Sequence, residues 1–172
     1  MKRLLAIGAL AMAACSPGAG PDSLSSSGRA SIVDSVQATL TAWTGAINRR
    51  DFGAASRFYT TDSSFRWIED GQVRYRKAAE IRSAMESMAP LYREIAFNLT
   101  DVRVTPLSPG VATVTTEFTQ KMTDTLGAVD GYAGAISMTM VDGPDGWRFL
   151  VGHTSSMVPA PTGPLVKLDS TP

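Results

Sequence analysis

The chain has 172 residues, of which 44% are hydrophobic and 19% are charged, so it is long enough for one globular domain with tails. Its 16 basic residues balance its 16 acidic residues. A neutral chain without a basic patch has no cationic field to attract nucleic acid, which excludes that class of partner from our expectations.

The first 15 residues, MKRLLAIGALAMAAC, combine two basic residues, an apolar run and the chain's one cysteine. The run from 4 to 14 is too short to span a bilayer. Small residues at 13 and 14 lead into Cys15, and this pattern resembles a bacterial lipoprotein signal. The resemblance implies removal of residues 1–14, acylation of Cys15 and attachment to a membrane of the bacterial cell envelope, on its periplasmic side or at the cell surface. The alternative is an ordinary secretory signal that leaves a free thiol.

Composition divides the remaining chain into three parts. Residues 15–30 are rich in Ser, Gly and Pro, which is typical of a flexible tether. Residues 157–172 repeat Pro too often for a helix or a central strand, and we expect an extended tail. The folded domain is therefore predicted to lie between these segments, over residues 31–156.

Helical periodicity marks three helices in this domain. The first follows an apolar stripe, with Ser31 as its expected cap: Ile32, Val36, Leu40, Trp43 and Ile47. Asp51 is expected to cap a short second helix. The third is predicted to start near Ala78 and to stop at Pro90.

Alternating patterns predict strands elsewhere. Asp70-Gly71 favours a tight hairpin turn before the third helix. Beyond Pro90 the alternation changes phase between Leu99 and Val102, which indicates a β-bulge. The predicted order is helix, helix, hairpin, helix and three long antiparallel strands, an α+β arrangement.

Three stretches in this order resemble the nuclear-transport-factor-2-like superfamily, and within it the SnoaL-like domains: WTGAINRRDFGAASRFYTTDSSF, IEDGQVRYRKAAEI and GWRFLVGHTSS. The resemblance implies a cystatin-like cone, in which a curved antiparallel sheet wraps around three helices. It also implies a ligand or active site in the mouth of the cone, and a homodimer formed through the outer face of the sheet.

The catalytic residues of the best-known enzymes in this superfamily have no counterparts in this sequence. The position of the ketosteroid isomerase base falls near Trp67, whose indole cannot abstract a proton. The first helix has no counterpart of the isomerase oxyanion tyrosine, and no Asp-Arg-Asp relay of an epoxide hydrolase can be placed. One histidine and one cysteine make a zinc site unexpected, and we expect no metal or cofactor.

His153 is the chain's one histidine and the strongest remaining candidate for catalysis. Trp147, Phe149 and His153 share a parity along the last strand, so we expect His153 to face the interior with the two aromatic rings. It would act there as an acid or base, or as a polar contact for a ligand or a neighbouring side chain. Glu69, Glu117 and Tyr59 are possible orienting partners.

We therefore expect a membrane-anchored envelope lipoprotein whose domain binds a small, mostly apolar ligand. The expected ligand-binding residues share a predicted position inside the cone: Tyr59, Phe65, Trp67, Phe118, Met138 and His153. Two alternatives remain. One is an isomerase-, dehydratase- or cyclase-type enzyme that uses His153, and the other is a non-catalytic dimeric scaffold whose own side chains fill the cone.

Overall fold

The computed structural model describes residues 24–157. The predicted signal segment, Cys15 and the predicted tail beyond Met157 lie outside the described residues. The elements, in chain order, are α1 (Ser26–Asn48), α2 (Phe52–Ser56), β1 (Arg66–Glu69), β2 (Gln72–Tyr75), α3 (Ala78–Met88), β3 (Tyr92–Ser108), β4 (Val111–Asp124), β5 (Val129–Gly143) and β6 (Gly146–Ser156). Four long strands follow α3, one more than the predicted order contained.

The first helix begins at Ser26, earlier than the predicted start at Ser31. Ser25, not Ser31, caps it, because the Ser25 hydroxyl accepts a hydrogen bond from the backbone N–H of Gly28 at 3.1 Å. Leu24 packs against the core, and Arg29 donates to the carbonyl of Pro106 at 3.2 Å. These tertiary contacts hold a first turn that has no apolar stripe of its own.

All six strands form one curved sheet in the order β2-β1-β6-β5-β4-β3. The prediction of an antiparallel sheet holds for every pair except β1 with β6, which is parallel. Asp70 and Gly71 form the predicted hairpin turn with φ angles of 48° and 82°. The Asp70 carboxylate also accepts from the backbone N–H of Ser156 at 2.8 Å, which ties the hairpin to the end of β6.

Two β-bulges decide which side chains face the interior. The predicted bulge in β3 is present, where the register with β4 shifts between Thr100 and Arg103. A second shift separates the pairs Met140–Phe149 and Thr139–Val151, which leaves Leu150 as an extra residue in β6. An extra residue reverses the alternation of side chains beyond it.

The core lies between the inner face of the sheet and the three helices. Every member of the predicted α1 stripe is buried there. Trp43 on α1 contacts two strands through edge-to-face ring pairs, with centroids 5.4 Å from Phe97 and 4.8 Å from Phe149. Among the described helices, none is long and apolar enough to cross a membrane.

Candidate functional site

A cavity of about 170 Å³ remains between α1, α3 and the inner face of the sheet. Eight of its eighteen lining residues are aromatic: Trp43, Phe52, Tyr59, Trp67, Tyr75, Phe97, Phe118 and Tyr132. Aliphatic residues cover much of the rest, chiefly Ile47, Ile81, Ala84, Met85, Met88, Ile95 and Ile136. Glu69, Gln120 and Thr154 supply the remaining polar side chains.

Strand geometry brings the wall together. Trp67 and Glu69 are two residues apart on β1 and therefore share the inner face. Tyr75 lies directly opposite Trp67 on β2. On the far side of the cavity Gln120 of β4 pairs with Tyr132 of β5. The partly exposed residues Glu69 and Tyr132 belong to the rim, whereas Trp43 is only 2% exposed and forms the buried end.

Two glycines make room for large rings in this wall. A Cβ atom added at Gly152 would lie 2.1 Å from Cζ3 of Trp67, so the indole rests directly on the backbone of β6. A Cβ atom added at Gly134 would lie 2.8 Å from Cε1 of Phe118 and 2.1 Å from the carbonyl oxygen of Ser155. The absence of side chains at these positions therefore sets the position of two rings of the cavity.

The buried end of the cavity contains a hydrogen-bond donor, the indole of Trp43. Trp43 Nε1 is buried and makes no hydrogen bond of normal geometry among the described residues, although the Tyr59 hydroxyl lies close enough to interact with it. Leaving such a donor unpaired costs about 1–3 kcal/mol. The neighbouring Tyr59 is also buried, and burial raises the pKa of its hydroxyl far above the usual value, so the phenol is neutral at physiological pH.

The rim contains the one charged side chain among the described residues that line the cavity, Glu69. Its side chain is 40% exposed, and Arg74 Nε lies 3.9 Å from its Oε2 on the solvent side. Burial raises the pKa of Glu69; Arg74 opposes this effect and Asp70 adds to it. Burial, with a smaller contribution from Glu69, also raises the pKa of Tyr132 to about 12.

The structure brings together three of the six residues predicted to form the site. Tyr59, Trp67 and Phe118 line the cavity. Phe65 and Met138 are buried in the core but do not line the cavity. His153 lies elsewhere.

The expectation that His153 faces the interior is wrong. Leu150 bulges out of β6, so Phe149 points inward, Gly152 and Thr154 continue the inner face, and His153 falls on the outer face. It lies there in a shallow depression lined by Asp101, Thr115, Glu117, Ser137 and Ser155, among others. His153 Nε2 is 3.5 Å from the hydroxyl of Ser155.

The candidate partners of His153 are correspondingly divided between the two faces. Glu117 shares the outer depression with His153, whereas Glu69 and Tyr59 line the inner cavity. The sequence contained a signal for Glu69 as a wall residue, because it follows Trp67 by two positions in a predicted strand. Tyr132, Gln120 and Thr154 had no such signal, since their positions depend on the register between distant strands.

The described residues offer no metal centre. No group of three or more His, Cys, Asp or Glu side chains within residues 24–157 is arranged to hold an ion. The polar groups that line the cavity are one carboxyl group, three phenols, an amide, a hydroxyl and two indoles.

Comparisons with known proteins identify the family and the fold of the domain. The family model of the SnoaL-like domain matches residues 36–160, and no curated protein matches the sequence. A proposed dehydratase of the NTF2-like family from Streptomyces avermitilis is similar with a TM-score of 0.66 and 22% identity, over 76% of this chain and 99% of that one.

Two other solved structures have the same fold. A proposed scytalone dehydratase from Novosphingobium aromaticivorans has a TM-score of 0.72 at 8% identity, over 78% of this chain and 89% of that one. A ketosteroid isomerase-like protein from Erwinia carotovora atroseptica has a TM-score of 0.59 at 20% identity, over 73% and 96% of the two chains. Similarity at these identities establishes the fold alone.

Proposed function

The chain belongs to the SnoaL-like domain family, and we propose that its domain binds a small, mainly apolar ligand in the inner cavity. The observation that carries this proposal is a cavity whose wall is aromatic and aliphatic except for three polar side chains. The buried N–H of Trp43 in this wall makes no hydrogen bond of normal geometry. A buried donor without a well-formed hydrogen bond lowers the stability of the folded domain. A ligand carrying a hydrogen-bond acceptor would relieve the cost.

The volume of the cavity limits the ligand to about one ring. An engineered apolar cavity of about 150 Å³ holds benzene, and the present cavity of about 170 Å³ is slightly larger. Its partly exposed rim leaves space for one substituent beyond the ring. A single-ring molecule with an acceptor at its buried end therefore matches both the shape and the polarity of the site.

Binding of toluene and benzaldehyde to the purified full chain, measured by NMR titration, tests this proposal. Both probes should bind, and benzaldehyde should bind more tightly because its carbonyl accepts from Trp43 Nε1. Trp43→Phe should weaken benzaldehyde about fivefold, the equivalent of one ordinary hydrogen bond of about 1 kcal/mol, and leave toluene nearly unchanged.

Trp147→Phe is the matched control, because Trp147 is similarly buried but does not line the cavity. It should leave the affinities of both probes unchanged. If neither probe binds the wild-type protein, the proposal fails. Equal loss of benzaldehyde affinity in both variants would attribute the effect to stability instead of the indole donor.

A second candidate function is proton-transfer catalysis by Glu69. Its support is a half-buried carboxyl group whose pKa is raised, placed in the cavity with neutral Tyr59. A pKa closer to neutrality improves a general base. The names of the dehydratase and isomerase structures above describe chemistry of this kind, but they belong to those proteins.

Isomerisation of cyclohex-3-enone tests the enzymatic alternative. Glu69 would remove a proton from C2 and return one to C4, so that the double bond moves into conjugation and the ultraviolet absorbance rises. Glu69→Gln should abolish the rate, and His153→Ala should retain it. The opposite pattern would assign the catalytic role to His153, which the sequence left open as an alternative.

Membrane anchoring through Cys15 is also part of the proposed function. Its support is the sequence pattern, in which basic residues, an apolar run and small residues precede the one cysteine. Each methylene group of an acyl chain that enters the bilayer contributes about 0.8 kcal/mol to membrane binding, so two or more acyl chains would hold the protein firmly on a bacterial envelope membrane. The full chain should fractionate with membranes and Cys15→Ser should not. Membrane retention of Cys15→Ser would contradict acylation.

We propose that the protein forms a homodimer through the outer face of the sheet. This face contains short, exposed side chains such as Thr115, Ala135 and Ser137, which allow two sheets to approach closely. Light scattering coupled to size exclusion should give twice the chain mass. Ser137→Arg should produce a monomer, whereas Ser83→Arg on the exposed side of α3 should not. A wild-type monomer would refute this assignment.

A further inference from the structure

The charge of the cavity is unbalanced at its rim. Glu69 is the charged member of the wall, and Asp70 and Asp130 act with it on Tyr132, whose pKa burial raises. Arg74 is the cation nearest to Glu69, but its side chain is 61% exposed and it does not line the cavity. Water screens this exposed pair strongly. A molecule at the rim therefore experiences a net negative potential.

Aromatic side chains share this part of the cavity wall with the carboxylate. Trp67 precedes Glu69 by two residues on the same face of β1, and Tyr75 lies directly opposite Trp67 on β2. Tyr132 completes the rim on the opposite side. The faces of Trp and Tyr rings attract a cation within about 6 Å of the ring centroid. Carboxylate and ring faces together form the environment in which proteins bind organic ammonium groups.

The buried end of the cavity has the opposite preference. Trp43 Nε1 donates a hydrogen bond and cannot accept one, so it offers nothing to an ammonium group. A cation placed among the buried rings would also lose its hydration without a partner, which is costly. A ligand with a single positive charge must therefore orient its ring inward and its charge toward Glu69.

From this polarity we infer that the cavity selects single-ring organic cations, with an ammonium group bound between Glu69 and the rim aromatics, over neutral or anionic molecules of the same size. The inference rests on the proposed ligand-binding function and specifies the chemical class of the ligand. It also explains why the wall carries one acidic side chain and, among the described residues that line it, no basic one.

Three probes of nearly equal size and shape test the inference: benzylamine, which is protonated at neutral pH, benzyl alcohol and benzoate. Isothermal calorimetry of the purified full chain should show benzylamine binding about tenfold more tightly than benzyl alcohol. The reason is that a charge-assisted hydrogen bond from the ammonium group to Glu69 is stronger than a hydrogen bond from a neutral hydroxyl. Benzoate should bind more weakly than either, because its charge is repelled by Glu69.

Variants identify the group responsible. Glu69→Gln should remove the preference for benzylamine over benzyl alcohol. Glu117→Gln makes the same change of charge on the outer face and should preserve the preference. Arg74→Gln leaves the cavity wall intact and should strengthen benzylamine binding, because it removes the cation that competes for Glu69. This last variant keeps the test available if Glu69→Gln fails to fold.

The outcomes separate the two proposals. If benzyl alcohol binds as well as benzylamine, or if benzoate binds best, the selectivity for cations is refuted while ligand binding stands. Retention of the full preference in Glu69→Gln would also refute it. If none of the three probes binds, ligand binding in the cavity fails and the selectivity fails with it.

Discussion

Replacing Gly152 by alanine tests the close packing on which the cavity depends. The new Cβ atom would lie 2.1 Å from Cζ3 and 2.3 Å from Cε3 of Trp67. Ordinary van der Waals contact begins at 3.4 Å, so the methyl group and the indole must separate by a further 1.3 Å. The clash cannot be relieved at the flexible end of a long side chain, because a rigid ring lies directly above the strand.

The surroundings of Trp67 determine the energy of this separation. The indole is 5% exposed and has edge-to-face contacts with Tyr59 and Phe149, with centroids at 5.4 and 6.1 Å. Overpacking of this kind costs about 1–3 kcal/mol. The ring has free space only toward the cavity, so we expect Gly152→Ala to lower the free energy of unfolding by this amount and to weaken benzaldehyde binding.

Urea unfolding followed by tryptophan fluorescence measures the loss, with Gly143→Ala as the control. Gly143 is also in a strand, but nothing lies within 4 Å of its added Cβ atom. This control should change the free energy of unfolding by less than about 0.5 kcal/mol. An unchanged midpoint in Gly152→Ala would refute the packing argument.

A double-mutant cycle assigns the cost to the indole. In a Trp67→Leu background the smaller side chain leaves space for the methyl group, so Gly152→Ala should become nearly neutral. The coupling energy should then equal the whole cost of the single substitution. An undiminished cost in this background would assign the effect to the strand backbone, and the proposed role of Gly152 would be wrong.

Two further predictions concern the rim and the edge of the sheet. Burial raises the pKa of Glu69 in the folded state. The contribution of its carboxyl group to the free energy of unfolding is therefore complete at a pH below the ordinary glutamate pKa, and it is lost as the pH rises through the raised pKa. In urea titrations, Glu69→Gln should therefore gain stability relative to wild type as the pH rises from about 3.5 to 7. The control Glu86→Gln, at an exposed position of α3, should show no such gain. A gain that is equal at all pH values would contradict burial as the cause. Asn48 on α1 donates to the carbonyl of Phe97 at 2.9 Å and accepts from its N–H at 2.6 Å, on the edge strand β3. Asn48→Ala should lower the free energy of unfolding by about 1–3 kcal/mol. Asn98→Ala should cost less, because that amide makes no such pair of bonds with the backbone, and equal losses would show that the paired amide has no special role.

Features with a local physical cause were predictable from the sequence. The apolar stripe of α1 follows from helical periodicity, the Asp51 cap is confirmed by its 2.9 Å bond from the backbone N–H of Ala54, and Asp70-Gly71 forms the expected turn. The bulge in β3 was also visible, because its apolar residues change phase within a few positions.

The bulge at Leu150 was not predictable for a related reason. The stretch from Trp147 to Val151 is apolar on nearly every residue, so its alternation does not reveal where the phase changes. Pairing with β5 on one side and β1 on the other decides the position of the extra residue. That pairing places His153 outside and leaves Gly152 beneath Trp67.

The sequence by itself determined the helices, the hairpin, the α+β class and the membership of most aromatic residues in one core, because each depends on periodicity or turn chemistry within a short segment. Only the tertiary structure decided the composition of the site. Glu69, Gln120, Tyr132 and Thr154 come from four different strands, and which of them meet depends on register between segments far apart in the chain. A shift of one residue moves a side chain from the cavity to the outer face, and His153 shows that consequence.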